Sequence, residues 1–353
     1  MIGSHVCEFY AQDPENEVLS MDNLSRSHWF ESGLDTVRHN WKYLEEKYPN
    51  VFTLKADVRD VAKAHDNSSM SNWLKDCDLV VHTAANPGVP TSVKHPQEDF
   101  FNNAWGTVSV LEGMRKWCDK ATFVYASTNK VYGENVDRIK ITEGDTRYFF
   151  AEDPSGYDSR DIADAGIDER LPIDQAGHTP YGCSKYVGDL YAQEYHHIYG
   201  MKTGVFRMSC IYGERQWGFE DQGWFAWFII AHLTGQEINI FGDGKQVRDA
   251  LHASDVARAY DMFHKSNYKH AVYNLGGGPE NSTSLEEFMR KLEDMSGMPV
   301  QRIYRSWRPS DQKIYVTDTF KLRDSLGWEP TISIDDGIDR LYAWVEANKK
   351  LFR

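Results

Sequence analysis

The sequence predicts an α/β protein, a doubly wound parallel sheet with a smaller C-terminal domain. Five short apolar runs have strand length: "EVLSMD" (17–22), "VFTLKAD" (51–57), "CDLVVHTAA" (77–85), "ATFVYAST" (121–128) and "KTGVFRMS" (202–209). Each is separated from the next by enough chain for a helix, as in "DFFNNAWGTVSVLEGMRKWC" and "YGCSKYVGDLYAQEYHHIYG". That alternation covers a parallel sheet on both faces, and right-handed crossovers wind it doubly. The last third changes character. "INIFGDGKQVRDAL" reads as a hairpin, "SLEEFMRKLEDMSG" as a helix and "IDDGIDRLYAWVEANKK" as a closing amphipathic helix. The expected division is a first domain over 1–209 with 246–280 returning to it, and a second domain from 210–245 and 281–353.

The 353 residues suffice for one large or two closely packed domains, with a sizeable core. Hydrophobic residues make up 41% and charged residues 26%, ordinary for a globular chain. No apolar run reaches the ~20 residues of a membrane helix, and the N-terminus has no signal-peptide pattern. The expected setting is the cytosol, with no membrane partner. The net charge of −14 repels phosphate backbones, so nucleic acid is not an expected partner. Five scattered cysteines without a CxxC read as reduced thiols, and no metal site is expected.

The opening "MIGSHV" reads like the end of a glycine-rich loop running into a helix, with Gly3 allowing close helix–strand packing. Asp22 ends the next strand, where a carboxylate accepts from a ribose; Arg26 nearby suits a 2′-phosphate. Asp57 ends the third run. It reads equally as an adenine acceptor and as an ordinary helix N-cap. Ala84 and Ala85 leave room for a ligand to approach the backbone, or simply pack tightly. Ser127 and Thr128 stand at a strand C-terminus, where ligands of open α/β sheets bind. Tyr181 and Lys185 are one helical turn apart. A lysine beside a phenol favours phenolate and makes the tyrosine a usable base, although such a pair also occurs on exposed helix faces.

The ordered set Gly3, "DNLSR" (22–26), "ADV" (56–58), "HTAA" (82–85), "NAWGT" (103–107), "STNKVYG" (127–133), "YGCSK" (181–185) and "GKQVRDALH" (244–252) resembles an extended short-chain dehydrogenase/reductase of the nucleotide-sugar epimerase/dehydratase type. The resemblance runs from residue 2 to about 345. It implies a Rossmann sheet and a tightly held NAD. Tyr181 is then the base, Lys185 the ribose ligand, Thr128 the partner of the reacting oxygen, and Asn103 the residue that kinks its helix. It further implies a cofactor set of Gly3, Asp22, Asn23, Ser25, Arg26, Asp57, Val58, Ala84, Ala85, Ser127, Tyr181 and Lys185.

"TRYFFAEDPSGYD" (146–158), "DQGWFAWF" (221–228) and "RPSDQKIYVTD" (308–318) resemble most the branch that epimerises CDP-linked sugars at C2. A CDP-sugar is therefore the favoured nucleotide-sugar substrate, touched by Asn129, Gln222, Gly223, Arg248 and Arg308. Either arginine could chelate phosphate; Arg248 could instead pair with Asp249 in a hairpin. Most of "DQGWFAWF" reads as helix core. Many relatives have Asn where this chain has Cys210, which puts one substrate contact in doubt. In related 4,6-dehydratases an Asp-Glu pair follows the threonine, because elimination needs an acid and a base. Here Asn129-Lys130 stands there, which argues for redox without elimination, hence epimerisation. The alternatives are a UDP-hexose 4-epimerase and a non-catalytic nucleotide-binding protein.

In the family a buried strand and two further loop glycines precede the position of Gly3. The expectation is that the natural chain starts upstream of Met1, or that residues 1–353 alone bind NAD poorly. The helices around 100–118 and 184–199 carry apolar residues beyond one core stripe, and the resemblance implies that such a pair joins copies of the chain in a homodimer or homotetramer.

Overall fold

A computed structural model describes residues 1–26, 34–151, 162–308 and 311–352. Residues 152–158 of the "TRYFFAEDPSGYD" stretch and 309–310 of "RPSDQKIYVTD" lie outside the described residues. All five predicted strands form: β1 (Val18–Asp22), β2 (Val51–Lys55), β3 (Leu79–His82), β4 (Thr122–Thr128) and β5 (Lys202–Met208). The chain continues through β6 (Cys210–Tyr212), β7 (Val247–His252), β8 (His270–Leu275), β9 (Ser282–Ser284) and β10 (Ile314–Tyr315). The helices used below are α1 (Ile2–Ala11), α2 (Leu34–Lys47), α3 (Gly106–Trp117), α4 (Pro180–Tyr199), α5 (Trp224–Thr234), α6 (Ala253–Lys265), α7 (Leu285–Ser296) and α8 (Ile334–Ala347).

The main sheet is parallel, in the order β8-β5-β4-β3. Its strands carry Phe123, Tyr125 and Val205 toward Val110, Leu111 and Met114 of α3 and Ala192 of α4. Val124 and Phe206 pack with Val6 of α1 and Tyr260 and Phe263 of α6. Apolar side chains on both faces explain why these strands read as continuous runs rather than alternations. A separate core joins α5, α7 and α8 through Phe225, Ile229, Leu292, Leu341 and Val345.

β1 and β2 pair in parallel, but only with each other among the described strands. β3 likewise pairs only with β4. A cavity runs between, lined by Val18–Asp22 on one side and Leu79–His82 on the other.

The region expected to be a hairpin is not one. Ile238–Phe241 pairs in parallel with Arg302–Arg305, while β7 pairs with β6, β9 and β10. The turn between them runs through Gly242 and Gly244 at positive φ, and each flank finds its partner elsewhere in the chain. In the 246–280 stretch, β7 therefore lies outside the main sheet and β8 is its edge strand.

Candidate active site

The cavity has a volume of about 1850 Å³ and opens along the C-terminal ends of β1, β3 and β4. Its wall includes Gly3, Asp22, Asn23, Ser25, Arg26, Val58, Ala84, Ala85, Ser127, Thr128, Tyr181 and Lys185. Asn129, Gln222, Gly223, Arg248 and Arg308 line the same space. The two sets, read from distant parts of the sequence, thus face one another.

At the reacting end, β4 stops at Thr128, whose hydroxyl accepts from the Lys130 backbone N–H at 3.2 Å and caps the following turn. The same hydroxyl hydrogen-bonds the Tyr181 phenol. Helix α4 begins there because Thr179 caps it and Pro180 occupies its first turn. A Cβ on Gly182 would lie 2.8 Å from the Lys130 carbonyl oxygen. Only glycine lets the helix start sit this close to the Thr128 loop, which is what brings Tyr181 to Thr128.

The charge logic differs from the expectation. Burial pushes the Tyr181 phenol up to about 12, and the Thr128 hydrogen bond only partly offsets this. Burial likewise pulls Lys185 down to about 7 against the pull of Asp189 and Asp99. Its ammonium sits 4.2 Å from the centre of the Tyr125 ring. Desolvation disfavours both ions, so it outweighs the lysine-to-phenol effect read from the one-turn spacing.

Asn103 lies in a π-turn, Phe101–Trp105, leading into α3. Its side-chain Oδ1 accepts from the Asn86 N–H at 2.7 Å; its side-chain NH₂ donates to the Asn86 carbonyl at 3.0 Å and to Asp99 at 3.1 Å. Ser184, between Tyr181 and Lys185, donates to Asp99 at 2.5 Å. Burial raises the Asp99 carboxyl to about 6. The sequence reading missed Asp99 and Ser184. The available signal was spacing: Asp99 is one turn before Asn103, and Ser184 shares the helix face of Tyr181.

Below the site lies a second buried network. Ser127 donates to Asp189 at 2.7 Å, and Arg207 grips the same carboxylate at 2.9 and 3.1 Å. The Ser127 hydroxyl is thus engaged inward rather than toward a ligand.

At the far end Gly3 meets the expectation for close packing, since a Cβ there would touch Thr83 at 3.0 Å. Asp22 accepts from the Leu24 N–H at 2.6 Å and borders the cavity. Asn23 and Ser25 form the turn beside it, with the Ser25 N–H on the Asn23 side chain at 2.9 Å. Asp57 takes the N-cap position, one of its two readings. It accepts from the Arg59 N–H at 2.9 Å, from the Arg59 side chain at 2.8 and 2.6 Å, and from Asn23 at 3.0 Å. Arg26 donates to Gln222 at 3.1 Å, so a residue assigned to the cofactor end touches one assigned to the substrate end. Gly223 starts α5 at φ +72°, a conformation that favours glycine.

Both phosphate candidates already hold carboxylates. Arg248 pairs with Asp311 at 2.9 Å rather than with Asp249, which is turned toward Ser209. Arg308 pairs with Asp221 at 2.8 Å and lies over the Phe241 ring. Cys210 accepts from the Trp224 indole N–H at 3.0 Å and lines the cavity.

This wall fits a dinucleotide in kind. Small residues stand at the end of β3, a carboxylate at the end of β1, and a Tyr–Lys–Thr set at the reacting end.

The model of the NAD dependent epimerase/dehydratase family matches residues 1–276. The chain is 33% identical to CDP-paratose 2-epimerase of Salmonella typhi, over 98% of this chain and 96% of that protein. It is 32% identical to a putative UDP-glucose 4-epimerase of Methanocaldococcus jannaschii, over 99% and 96%. Among solved structures it resembles UDP-glucuronic acid 4-epimerase from Bacillus cereus in complex with UDP-glucuronic acid and NAD. That match has a TM-score of 0.76 and 26% identity, covering 98% of this chain and 96% of the other.

Proposed function

This chain belongs to the NAD-dependent epimerase/dehydratase family, and from that premise we propose that it inverts C2 of a CDP-linked sugar, converting CDP-paratose to CDP-tyvelose. That it is an NAD-dependent nucleotide-sugar epimerase follows from its relatives. The C2 position and the CDP nucleotide are our reading. It is carried by the similarity over nearly the whole chain to CDP-paratose 2-epimerase, while Asn129-Lys130 on the cavity wall directly after Thr128 supports epimerisation over elimination. Neither side chain is a carboxylic acid, so the Asp-Glu acid–base pair of the eliminating relatives is missing and redox proceeds without loss of water.

NAD, when bound, supplies the reversible two-electron oxidation of the ring carbinol. Gly3, Asp22, Asn23, Ser25 and Val58, with Ala84 and Ala85, form the wall along which it would lie, and Lys185 on the same wall would meet its ribose. To take the hydroxyl proton as the ketone forms Tyr181 must be a phenolate, a form that burial disfavours and that a positive charge brought in with the cofactor would favour; it returns the proton after the sugar has presented its other face. Thr128 holds the reacting oxygen, and Asn103 and Ser184 fix the helix starts that aim these groups. Gln222, Gly223, Arg248 and Arg308 line the nucleotide and phosphate end.

A UDP-hexose 4-epimerase is the second reading, favoured by the UDP-sugar bound in the Bacillus cereus structure. NMR of the sugar protons after incubation with CDP-paratose or UDP-glucose separates the two. Inversion at C2 of CDP-paratose is expected; inversion only at C4 of UDP-glucose sinks the first reading. Tyr181→Phe should abolish turnover while bound NAD, read by absorbance, is retained.

We also read the outer faces around α3 and α4 as the contact with a second copy of this chain, in a homodimer or homotetramer. Phe100, Phe101, Leu190, Tyr191 and Ile198 stand exposed there, an apolar surface that a copy of the same face would cover.

A further inference from the structure

We propose that Lys130 determines specificity by binding the β-phosphate of the nucleotide sugar beside the reacting carbinol; this rests on the C2 reading above. Lys130 is on the cavity wall two residues after Thr128, its backbone N–H on the Thr128 hydroxyl. Its ammonium donates to the neutral Gln312 Oε1 at 3.2 Å, and Gln312 is itself held by the Gly133 carbonyl at 3.1 Å. Among the described residues it forms no ion pair, whereas Arg248 and Arg308 both do. Burial, and next the nearby Arg248, pull the ammonium down to about 8, and the Asp311 and Asp137 carboxylates, which face it without pairing with it, only partly offset this. An incompletely compensated, partly desolvated cation on a cavity wall is unfavourable until an anion arrives.

The anion that a nucleotide sugar carries is its diphosphate. The β-phosphate hangs from the oxygen on C1. C2 is the neighbouring ring atom and C4 lies across the ring. An ammonium that turns from Gln312 toward the Thr128–Tyr181 pair would meet the β-phosphate when C2 is presented, and other hydroxyls when C4 is. A carboxylate in place of Lys130 would repel the phosphate, so the same side chain both removes the elimination acid and favours the C2 pose.

The test compares CDP with CMP, which lacks the β-phosphate. Calorimetric titrations use the NAD-loaded wild type, Lys130→Met, Lys130→Gln and Lys130→Arg at pH 7 and pH 9. Wild type should bind CDP about 10- to 100-fold tighter than CMP, the scale of one charge-assisted contact. Lys130→Met and Lys130→Gln should collapse that ratio while CMP affinity and NAD content stay put, and Lys130→Arg should restore most of it. The wild-type ratio should fall between pH 7 and pH 9 as the ammonium loses its proton. A ratio unchanged in Lys130→Met and Lys130→Gln overturns the proposal. If turnover shows UDP-glucose and C4 instead, the same titrations run with UDP and UMP. Collapse then leaves the phosphate contact standing but overturns its role in choosing C2, and an unchanged ratio overturns the contact as well.

Discussion

Replacing Asp189 by asparagine removes one charge from a buried pair and leaves the other in place. Asp189 is fully buried and accepts from Ser127 at 2.7 Å, Gln193 at 2.7 Å, and Arg207 at 2.9 and 3.1 Å. Every oxygen lone pair faces a donor, so the new amide NH₂ must point at another donor. The Arg207 guanidinium, itself buried, loses its counterion. Breaking such a pair typically costs about 3–5 kcal/mol, because the remaining charge stays desolvated. Arg207 keeps a hydrogen bond to Tyr132 at 3.3 Å and lies over that ring, so the lower end of the range is expected. At ~2 °C per kcal/mol for a chain of this size, Tm should fall by about 6 °C, read by calorimetry on matched samples. The double variant Asp189→Leu/Arg207→Met, which removes both charges, should lose less than Asp189→Asn alone. Equal Tm values for wild type and Asp189→Asn, or a larger loss in the double variant, would refute the reasoning.

Asp99→Asn tests the carboxyl that burial raises to about 6. Because the folded pKa lies above the unfolded value, the native state binds the extra proton. Wild-type stability should fall as pH rises from the unfolded pKa through about 6, and urea midpoints at pH 4 to 8 should show Asp99→Asn losing that dependence. Gly182→Ala places a Cβ 2.8 Å from the Lys130 carbonyl oxygen, so the start of α4 must move away from Thr128. A small shift of Tyr181 should lower kcat by about 10-fold or more, with NAD still bound; unchanged kcat would show that this contact does not aim Tyr181. Ile198→Asp and Leu190→Glu introduce charge on the exposed apolar face of α4. Light scattering should show a smaller species than wild type, and an unchanged mass would remove that face from the assembly.

Much of the fold was legible because strand and helix patterns are local. The five apolar runs carry their own period, and Tyr181 and Lys185 share a face by helical geometry alone. Pairing partners are not local. Ile238–Phe241 and β7 look like two arms of a hairpin, yet each pairs with chain outside the turn. Asp57 shows the same limit within a site. Its position suits either a ligand or a helix cap, and only the packed chain shows the Arg59 side chain folding back onto the capping carboxylate.

The sequence by itself determined the alternation of strand and helix, the residues at the strand ends and the absence of a carboxylic acid after Thr128. The packed chain alone decided that Arg26 meets Gln222, that Asp99 and Ser184 stand behind the reacting residues, and which way the charges shift. Proton affinity depends on how much water each group loses and on which dipoles replace it. Those quantities depend on the whole surrounding fold: Tyr181 and Lys185, one turn apart, are each shifted toward neutrality by the cavity that holds them.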